Sequence, residues 1–395
     1  MKEGWEYKKL GEICDILNGF AFKSSTYVAD GIRVIRISNV QKGKVEDKDP
    51  KFFPSSSKGE IENYLLNEGD LLISLTGNVG RVGILLRELL PAALNQRVAC
   101  LRLKRDNIDK RYLFHFLNSD YFESICIKNS KGAAQLNMST VWLSNYAIPI
   151  PSLSEQQRIV EYLDSAFAKI DAMKANAEKQ LSEAKALFQA SLKEMLEPKE
   201  GWEEKKLKDF ATEFYRGSGV KRDQVTEKGV SCVRYGEIYT KYNYHFNKCD
   251  SYTLAEYVSS PKYFENGDIL FAITGESVEE IGKSIAYTGN EKCIAGGDIV
   301  VMKHTYEPRY ISYALSTPSA VKQKGRGKTK LKVVHTNIPS LEEIIIPIAP
   351  MNDQIRIADT LDSLKSKVDR LQANFEKISQ ECDALKQAIL RKVFE

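Results

Sequence analysis

The sequence predicts an α+β protein: two β-rich globular units related by pseudo-two-fold symmetry and joined by an antiparallel coiled coil of two long helices. Three observations predict it. The chain of 395 residues repeats itself at an offset of 197 or 198. Each copy opens with roughly 150 residues of short apolar runs broken by Gly, Asn and Pro, the texture of strands and turns. Each copy closes with a stretch, 155–196 and 353–394, that contains neither Pro nor Gly, which over such a length signals a helix.

The repeat is ordered and spread along the whole chain. Gly4-Trp5-Glu6-x-Lys8-Lys9-Leu10 returns as Gly201-Trp202-Glu203-x-Lys205-Lys206-Leu207. Glu68-Gly69-Asp70-Leu71-Leu72-Ile73-x-Leu75-Thr76-Gly77 returns as Asn266-Gly267-Asp268-Ile269-Leu270-Phe271-x-Ile273-Thr274-Gly275. Pro149-Ile150 matches Pro347-Ile348, Arg158-Ile159 matches Arg356-Ile357, and Leu163-Asp164-Ser165 matches Leu361-Asp362-Ser363. Matches this far apart and in this order mark two copies of one unit. The predicted boundaries are 1–152 and 198–350 for the globular parts, and 153–197 and 351–395 for the helices.

Strand-like runs include Ile32 to Val40 and Asp70 to Leu75, and a proline-bounded strand closes each globular part, at Ala147 to Pro151 and Ile344 to Pro350. Ser154 and Asn352 are the predicted helix N-caps. In the second helix, Leu361, Leu364, Val368, Leu371, Phe375, Ile378, Cys382, Leu385 and Ile389 alternate spacings of three and four, an a/d seam. The first helix runs Val160, Leu163, Phe167, Ile170, Ala177, Leu181, Ala184, Phe188 and Met195 on the same rhythm, interrupted by Lys174 and Ser191. The first helix ends where the second globular part begins, and the second starts where that part finishes, so the two must run antiparallel. A 42-residue helix is about 63 Å long, which places the globular parts at opposite ends of the pair.

Composition sets the outer bounds. With 43% apolar and 28% charged residues and a net charge of +4, the chain has enough apolar material for packed cores and is only mildly basic. No run of 18 apolar residues offers a membrane span, and the segment MKEGWEYKKL lacks the apolar stretch of a signal peptide. Seven scattered cysteines, an odd number without a CxxC pair, point to a reducing cytoplasm and away from a structural zinc site.

Charge placement is more telling than total charge. Lys322, Lys324, Arg326, Lys328, Lys330 and Lys332 fall on every second position with no acid among them. In an extended chain that period puts all six on one face, a face that repels itself unless a polyanion such as DNA screens it. The corresponding first-half segment carries Lys128, Lys131, Gln135 and Asn137, less charge and more amide, as base-edge readout requires. Arg36 and Arg234 stand at equivalent places on strand-like runs, where each either reaches a guanine edge or covers its own sheet. Asn95, Gln96 and Arg97 form a polar cluster before an apolar strand, and Tyr235, Tyr239, Lys241, Tyr242 and Tyr244 interleave aromatic and basic side chains.

The sequence holds no complete catalytic motif. Gly275 to Ser284 nearly spells a phosphate-cradling loop, but six residues rather than four separate its glycines. The adenine-methyltransferase signature [ND]PP[FY] is absent, no glycine-rich cofactor loop joins a strand to a helix, and His115, His245, His304 and His335 have no metal-ligand spacing. Two other readings compete with DNA binding: an enzyme with unfamiliar motifs, and a DNA-free coiled-coil scaffold, against which the alternating basic run argues.

The duplicated halves, each opening with GW-x-x-KKL and closing at a helix start like PIPSLSEQQRIVEYLDS, resemble the specificity subunits of Type I restriction–modification enzymes. The resemblance spans the full chain and is most specific at residues 149–165 and 347–363. Arg216-Gly217-Ser218-Gly219 followed by Val233 to Thr240 is similar to one class of target-recognition domain, and Asn18-Gly19-Phe20-Ala21-Phe22-Lys23-Ser24 resembles another. The resemblance implies two target-recognition domains that read an asymmetric, bipartite double-stranded DNA target, with a spacer set by the helices. It implies docking of two methyltransferase subunits and of motor–nuclease subunits. S-adenosylmethionine, ATP and Mg would then serve those partners, and this chain would bind no cofactor and catalyse nothing. The candidate DNA-binding residues are Lys23, Arg36, Asn95, Gln96, Arg97, Lys131, Gln135, Arg216, Lys221, Arg222, Arg234, Tyr235, Lys324, Arg326, Lys328 and Lys330.

Overall fold

The computed structural model describes residues 4–104, 107–132, 134–327 and 333–394. Its contacts divide the chain into two compact units, Met1–Ala177 with Phe375–Glu395, and Glu178–Asn374. The division cuts both long helices, so each helix supplies apolar residues to both cores. No helix among the described residues is long and apolar enough to cross a membrane. All seven cysteines are free and buried.

In chain order the first unit contains strands β1 (Glu6–Lys9), β2 (Cys14–Asn18), β3 (Ile32–Ile35), β4 (Leu71–Ser74), β5 (Val82–Ile84), β6 (Ala92–Leu94) and β7 (Val98–Leu103), helix α1 (Lys110–Leu117), strand β8 (Ala147–Ile150) and the start of the long helix α2 (Leu153–Met195). A four-stranded sheet runs β2-β7-β4-β5. β3 lies parallel to β6, with Val34 opposite Ala93. β1 and β8 close the unit as an antiparallel pair, Glu6 opposite Ile150.

The second unit repeats the plan with β9 (Glu203–Lys206), β10 (Glu213–Arg216), β11 (Val230–Val233), β12 (Ile269–Ala272), β13 (Ser284–Tyr287), β14 (Cys293–Ala295) and β15 (Ile299–Lys303). Helices α3 (Pro308–Ala314) and α4 (Pro318–Lys324), strand β16 (Ile345–Ile348) and the long helix α5 (Met351–Phe394) follow. β12 lies between β15 and β13, β11 and β14 are parallel, and β9 pairs with β16, Glu203 opposite Ile348.

The duplicated Gly-Asp motif builds the turn before the central strand. Gly69 and Gly267 take φ +78° and +93°, where a side chain is strained. Asp70 and Asp268 are buried, and each carboxylate accepts from a turn amide, that of Asn67 at 2.8 Å or of Glu265 at 2.9 Å. A cation on the neighbouring strand completes each arrangement: Arg102 grips Asp70 with two bonds of 3.0 and 2.6 Å, and Lys303 reaches Asp268 at 3.2 Å. A buried carboxylate without such partners would cost several kcal/mol.

A fully buried glutamine locks each helix start. Gln156 Oε1 accepts from the Asp109 amide at 2.8 Å while its Nε2 donates to the Pro151 carbonyl at 2.9 Å. Gln354 does the same with Glu307 and Ala349, at 3.1 and 2.7 Å. The helices begin slightly earlier than the predicted caps. Ser152 Oγ, not Ser154, accepts from the Glu155 amide, and the Pro350 carbonyl takes the place expected of Asn352.

The helices pair antiparallel, as the chain order requires. In the first unit Asp171 meets Lys386 at 2.6 Å and Lys174 meets Asp383 at 3.4 Å. In the second, Lys185 reaches Gln372 at 2.7 Å. Leu163, Ile170, Leu181, Leu361 and Val368 are buried, while Phe167, Leu364, Leu371, Phe375 and Ile378 are half-buried, as a two-helix seam leaves them. Leu385 departs from the expected seam, being 48% exposed. Beyond Cys382 the buried positions step by four, through the half-buried Lys386 to Leu390 and Phe394, because this end packs on the globular core. Phe394 meets Tyr112 and Phe116 edge-on at 5.6 and 5.3 Å. A strict three-four alternation averages 3.5 residues per turn, and a helix of 3.6 drifts off it unless the contact surface follows.

Candidate nucleic-acid interface

Just beyond its central strand each unit carries Thr-Gly, Thr76-Gly77 or Thr274-Gly275, and that dipeptide anchors the segment of the candidate reading loop. Thr76 Oγ1 donates to Asn137 Oδ1 at 2.8 Å, and the Gly77 amide donates to the Leu136 carbonyl at 2.9 Å. Lys131 and Asn137 bridge antiparallel to each other as the two sides of a hairpin, and Lys131 and Gln135 are exposed. In the second unit Thr274 pairs with His335, whose Nδ1 lies 3.1 Å from Thr274 Oγ1. The basic segment that follows α4 in the sequence leads into this pair.

Backbone bonds bring the other first-unit candidates to the same edge. The Gly19-Phe20 segment lies against the Asn95 turn, with Phe20 N on Leu94 O at 2.8 Å and Gln96 N on Phe20 O at 2.9 Å. A Cβ on Gly19 would stand 2.2 Å from the Asn95 backbone, so no larger residue fits. Asn95 N reaches Ile35 O at 3.2 Å, beside Arg36, and Leu75 N reaches Arg97 O at 2.9 Å, beside Thr76. The segments carrying Arg36, Asn95, Gln96, Arg97 and Gln135 are thus joined, with Lys23 on the adjoining loop.

Their side chains divide into two groups. Asn95 is buried and its Oδ1 caps the Arg97 amide at 3.1 Å, a turn-building role. Arg36 binds Asp49, 3.2 Å from its carboxylate, and Lys51 together with Arg36 holds the Asp49 carboxyl below the usual range. Lys23, Gln96, Arg97, Lys131 and Gln135 are exposed. Exposed amides and cations on one edge are the chemistry of base and phosphate contact.

The second unit gathers its candidates through the matching bonds. Ser218 N reaches Ala295 O at 2.8 Å, Gly296 N reaches Val233 O at 2.8 Å, and Ile273 N reaches Asp298 O at 3.0 Å. Arg216, Arg234, Asp298 and Thr274 therefore lie on joined segments. Arg216 is committed to Asp298 at 2.8 Å. Arg234 is not on a strand but at the start of the short helix Tyr235–Thr240, its amide donating to Glu237 at 2.9 Å. The segment that interleaves tyrosines with Lys241 therefore begins as helix. Arg234 and its counterpart Arg36 share one feature: the Nε of each is buried and unpaired among the described residues. Lys221, Arg222 and Tyr235 are exposed.

The basic run is not the continuous extended face its period suggested. Residues up to Lys324 belong to α4, where alternate positions do not share a face. Lys324 points inward. It is buried, donates to Ser284 Oγ at 2.9 Å and sits 5.9 Å from the Phe271 ring centre, and burial lowers its amine from 10.5 to about 7. Lys324 is thus a core residue rather than a phosphate contact. Lys322 and Arg326 remain exposed, and Lys328, Lys330 and Lys332 lie outside the described residues. Sequence reasoning missed Thr76 and Thr274 as loop anchors, although their recurrence in the repeated Gly-Asp segment was the available signal. Among the described residues no group of His, Cys, Asp and Glu is placed to hold a metal.

Known proteins resemble this chain in sequence and fold. The family model described as "Type I restriction modification DNA specificity domain" matches residues 2–183 and again 199–380. The Type I restriction enzyme MjaVIII specificity subunit of Methanocaldococcus jannaschii is 34% identical over 187 residues, 46% of this chain and 44% of that protein, so the match spans less than half of that relative. The Type I restriction enzyme StySPI specificity subunit of Salmonella potsdam is 23% identical over all of this chain and 89% of its own length. A chain solved in work on complex assembly and conformational transition of the type I R-M system superposes with a TM-score of 0.73 at 19% identity, covering 100% of this chain and 98% of that one. Two matched copies spanning nearly the whole sequence place this chain in the family of Type I restriction–modification DNA specificity proteins.

Proposed function

We propose that each unit reads one half of an asymmetric, bipartite double-stranded DNA target, and that the long helices set the spacer and present docking surfaces. Methyltransferase subunits and motor–nuclease subunits are the partners, supplying the chemistry with S-adenosylmethionine, ATP and Mg, while this chain contributes recognition alone. One observation carries the reading: beyond the central strand of the first unit Thr76 bonds Asn137 beside the exposed Lys131 and Gln135, and the matching Thr274 of the second unit pairs with His335, next in the sequence to the basic run. The loops differ in chemistry, amide-bearing in one unit and strongly basic in the other, which supports an asymmetric target.

The test is methylation mapping in a host expressing this chain with its methyltransferase, alongside DNA binding by the purified chain as salt is raised. A two-part target with unlike halves, and an affinity that falls steeply with salt, is the expected result. Methyl transfer by this chain alone, or binding indifferent to salt, overturns the proposal.

A further inference from the structure

The geometry points to a new role for the repeated Leu-Asp-Ser motif: Asp164 and Asp362, projecting from the long helices, are the positioning residues that set the register in which each recognition unit presents its reading edge to DNA. This inference rests on the functional reading above and extends it to residues outside the reading edge.

In the first unit, Asp164 on α2 receives two side chains of α1. Arg111 forms an ion pair with it, and His115 Nε2 lies 3.0 Å from its Oδ1. In the second unit, Asp362 on α5 receives Arg309 at 2.7 Å and the Tyr313 hydroxyl at 2.6 Å, both from α3. A third group joins this second clasp: His245, whose Nε2 stands 2.8 Å from Asp362 Oδ1. Arg111 matches Arg309, and His115 matches Tyr313, at the repeat offset of 198.

The two halves thus share a fork between a helix of the globular part and a carboxylate of the long helix, while changing the aromatic that completes it. Apolar packing alone tolerates small slides of one helix over another, whereas charge-assisted bonds to one carboxylate define a single register. His245 ties in the segment after the helix Tyr235–Thr240, which starts at Arg234. Asp362 is therefore connected to the reading edge through one short stretch of chain. Although burial opposes it, hydrogen bonds from His245, Tyr313 and Arg309 hold the Asp362 carboxyl at about 2, so this carboxylate is ionised at neutral pH.

The experiment compares the full-length chain with Asp164→Asn and Asp362→Asn, each co-expressed with the methyltransferase, by genome-wide mapping of modified sites. Asp362→Asn is expected to relax one half of the target about ten-fold, near the low end of what one mismatched base pair costs, with the other half unchanged. Asp164→Asn relaxes the opposite half. Where Asp362→Asn fails to fold, Tyr313→Phe, which removes only the 2.6 Å bond, takes its place with the same expected direction. Full stringency in both halves overturns the inference, and so does equal relaxation of both halves, which marks a general loss of fold. A parent chain without a two-part target overturns the functional reading and this inference together.

Discussion

Lys324 donates its amine to Ser284 Oγ at 2.9 Å inside the second unit, although it belongs to the most basic stretch of the chain. Burial depresses this amine from 10.5 to about 7. The unfolded chain therefore binds more protons between pH 7 and 10.5, and stability rises with pH across that window. The penalty is fully present below pH 7. Lys324→Met is expected to stabilise the protein by about 1–3 kcal/mol at pH 6–7 and to flatten that rise, as read from denaturant melts at several pH values. A variant that is less stable at pH 6 would show that the amine, not the apolar stem, holds this place.

Lys131 and Gln135 sit on one hairpin but should fail differently. Lys131→Ala is expected to reduce the slope of log affinity against log salt by about 0.9. Gln135→Ala should leave that slope unchanged and lower discrimination at one base position by about 1–3 kcal/mol. Titrations at several salt concentrations against cognate and single-mismatch DNA separate the two. Identical salt slopes for parent and Lys131→Ala would remove this hairpin from the phosphate contacts.

Gln354→Ala leaves the Glu307 amide and the Ala349 carbonyl without their shared partner. The expected loss is about 2–4 kcal/mol, since each buried orphan costs about 1–3. Gln156→Ala should cost a similar amount in the first unit. Chemical denaturation measures both, and a loss under about 0.5 kcal/mol, the range of ordinary surface changes, would remove the glutamines from their locking role.

Charge on the helix seam should be tolerated according to burial rather than heptad position. Val368→Asp places a carboxylate at an 8% exposed site and is expected to cost about 3 kcal/mol or more. Leu385→Asp, at a site 48% exposed, should stay within about 0.5 kcal/mol. Thermal melts of the two variants make the comparison, and equal losses would restore Leu385 to the seam.

The repeat, the long helices and their antiparallel run were legible in the sequence, because each depends on spacing along the chain. Apolar period and the absence of Pro and Gly report local backbone preference directly. Even the Gly69-Asp70 and Gly267-Asp268 turns carried their own signature, since the bonds that build them join residues three apart. Period two in the basic run looked equally informative, yet its first cations fell on α4, and only packing beside Ser284 and Phe271 turned Lys324 inward. Leu385 kept the heptad rhythm, but the core around Tyr112 and Phe116 drew in Leu390 and Phe394 instead. Tertiary structure alone joined Arg36, Arg97 and Gln135 on one edge, and set Asp164 and Asp362 opposite their arginines. The physical reason is range: propensity and period act over a few residues, whereas burial and charge pairing are decided by groups dozens of residues apart.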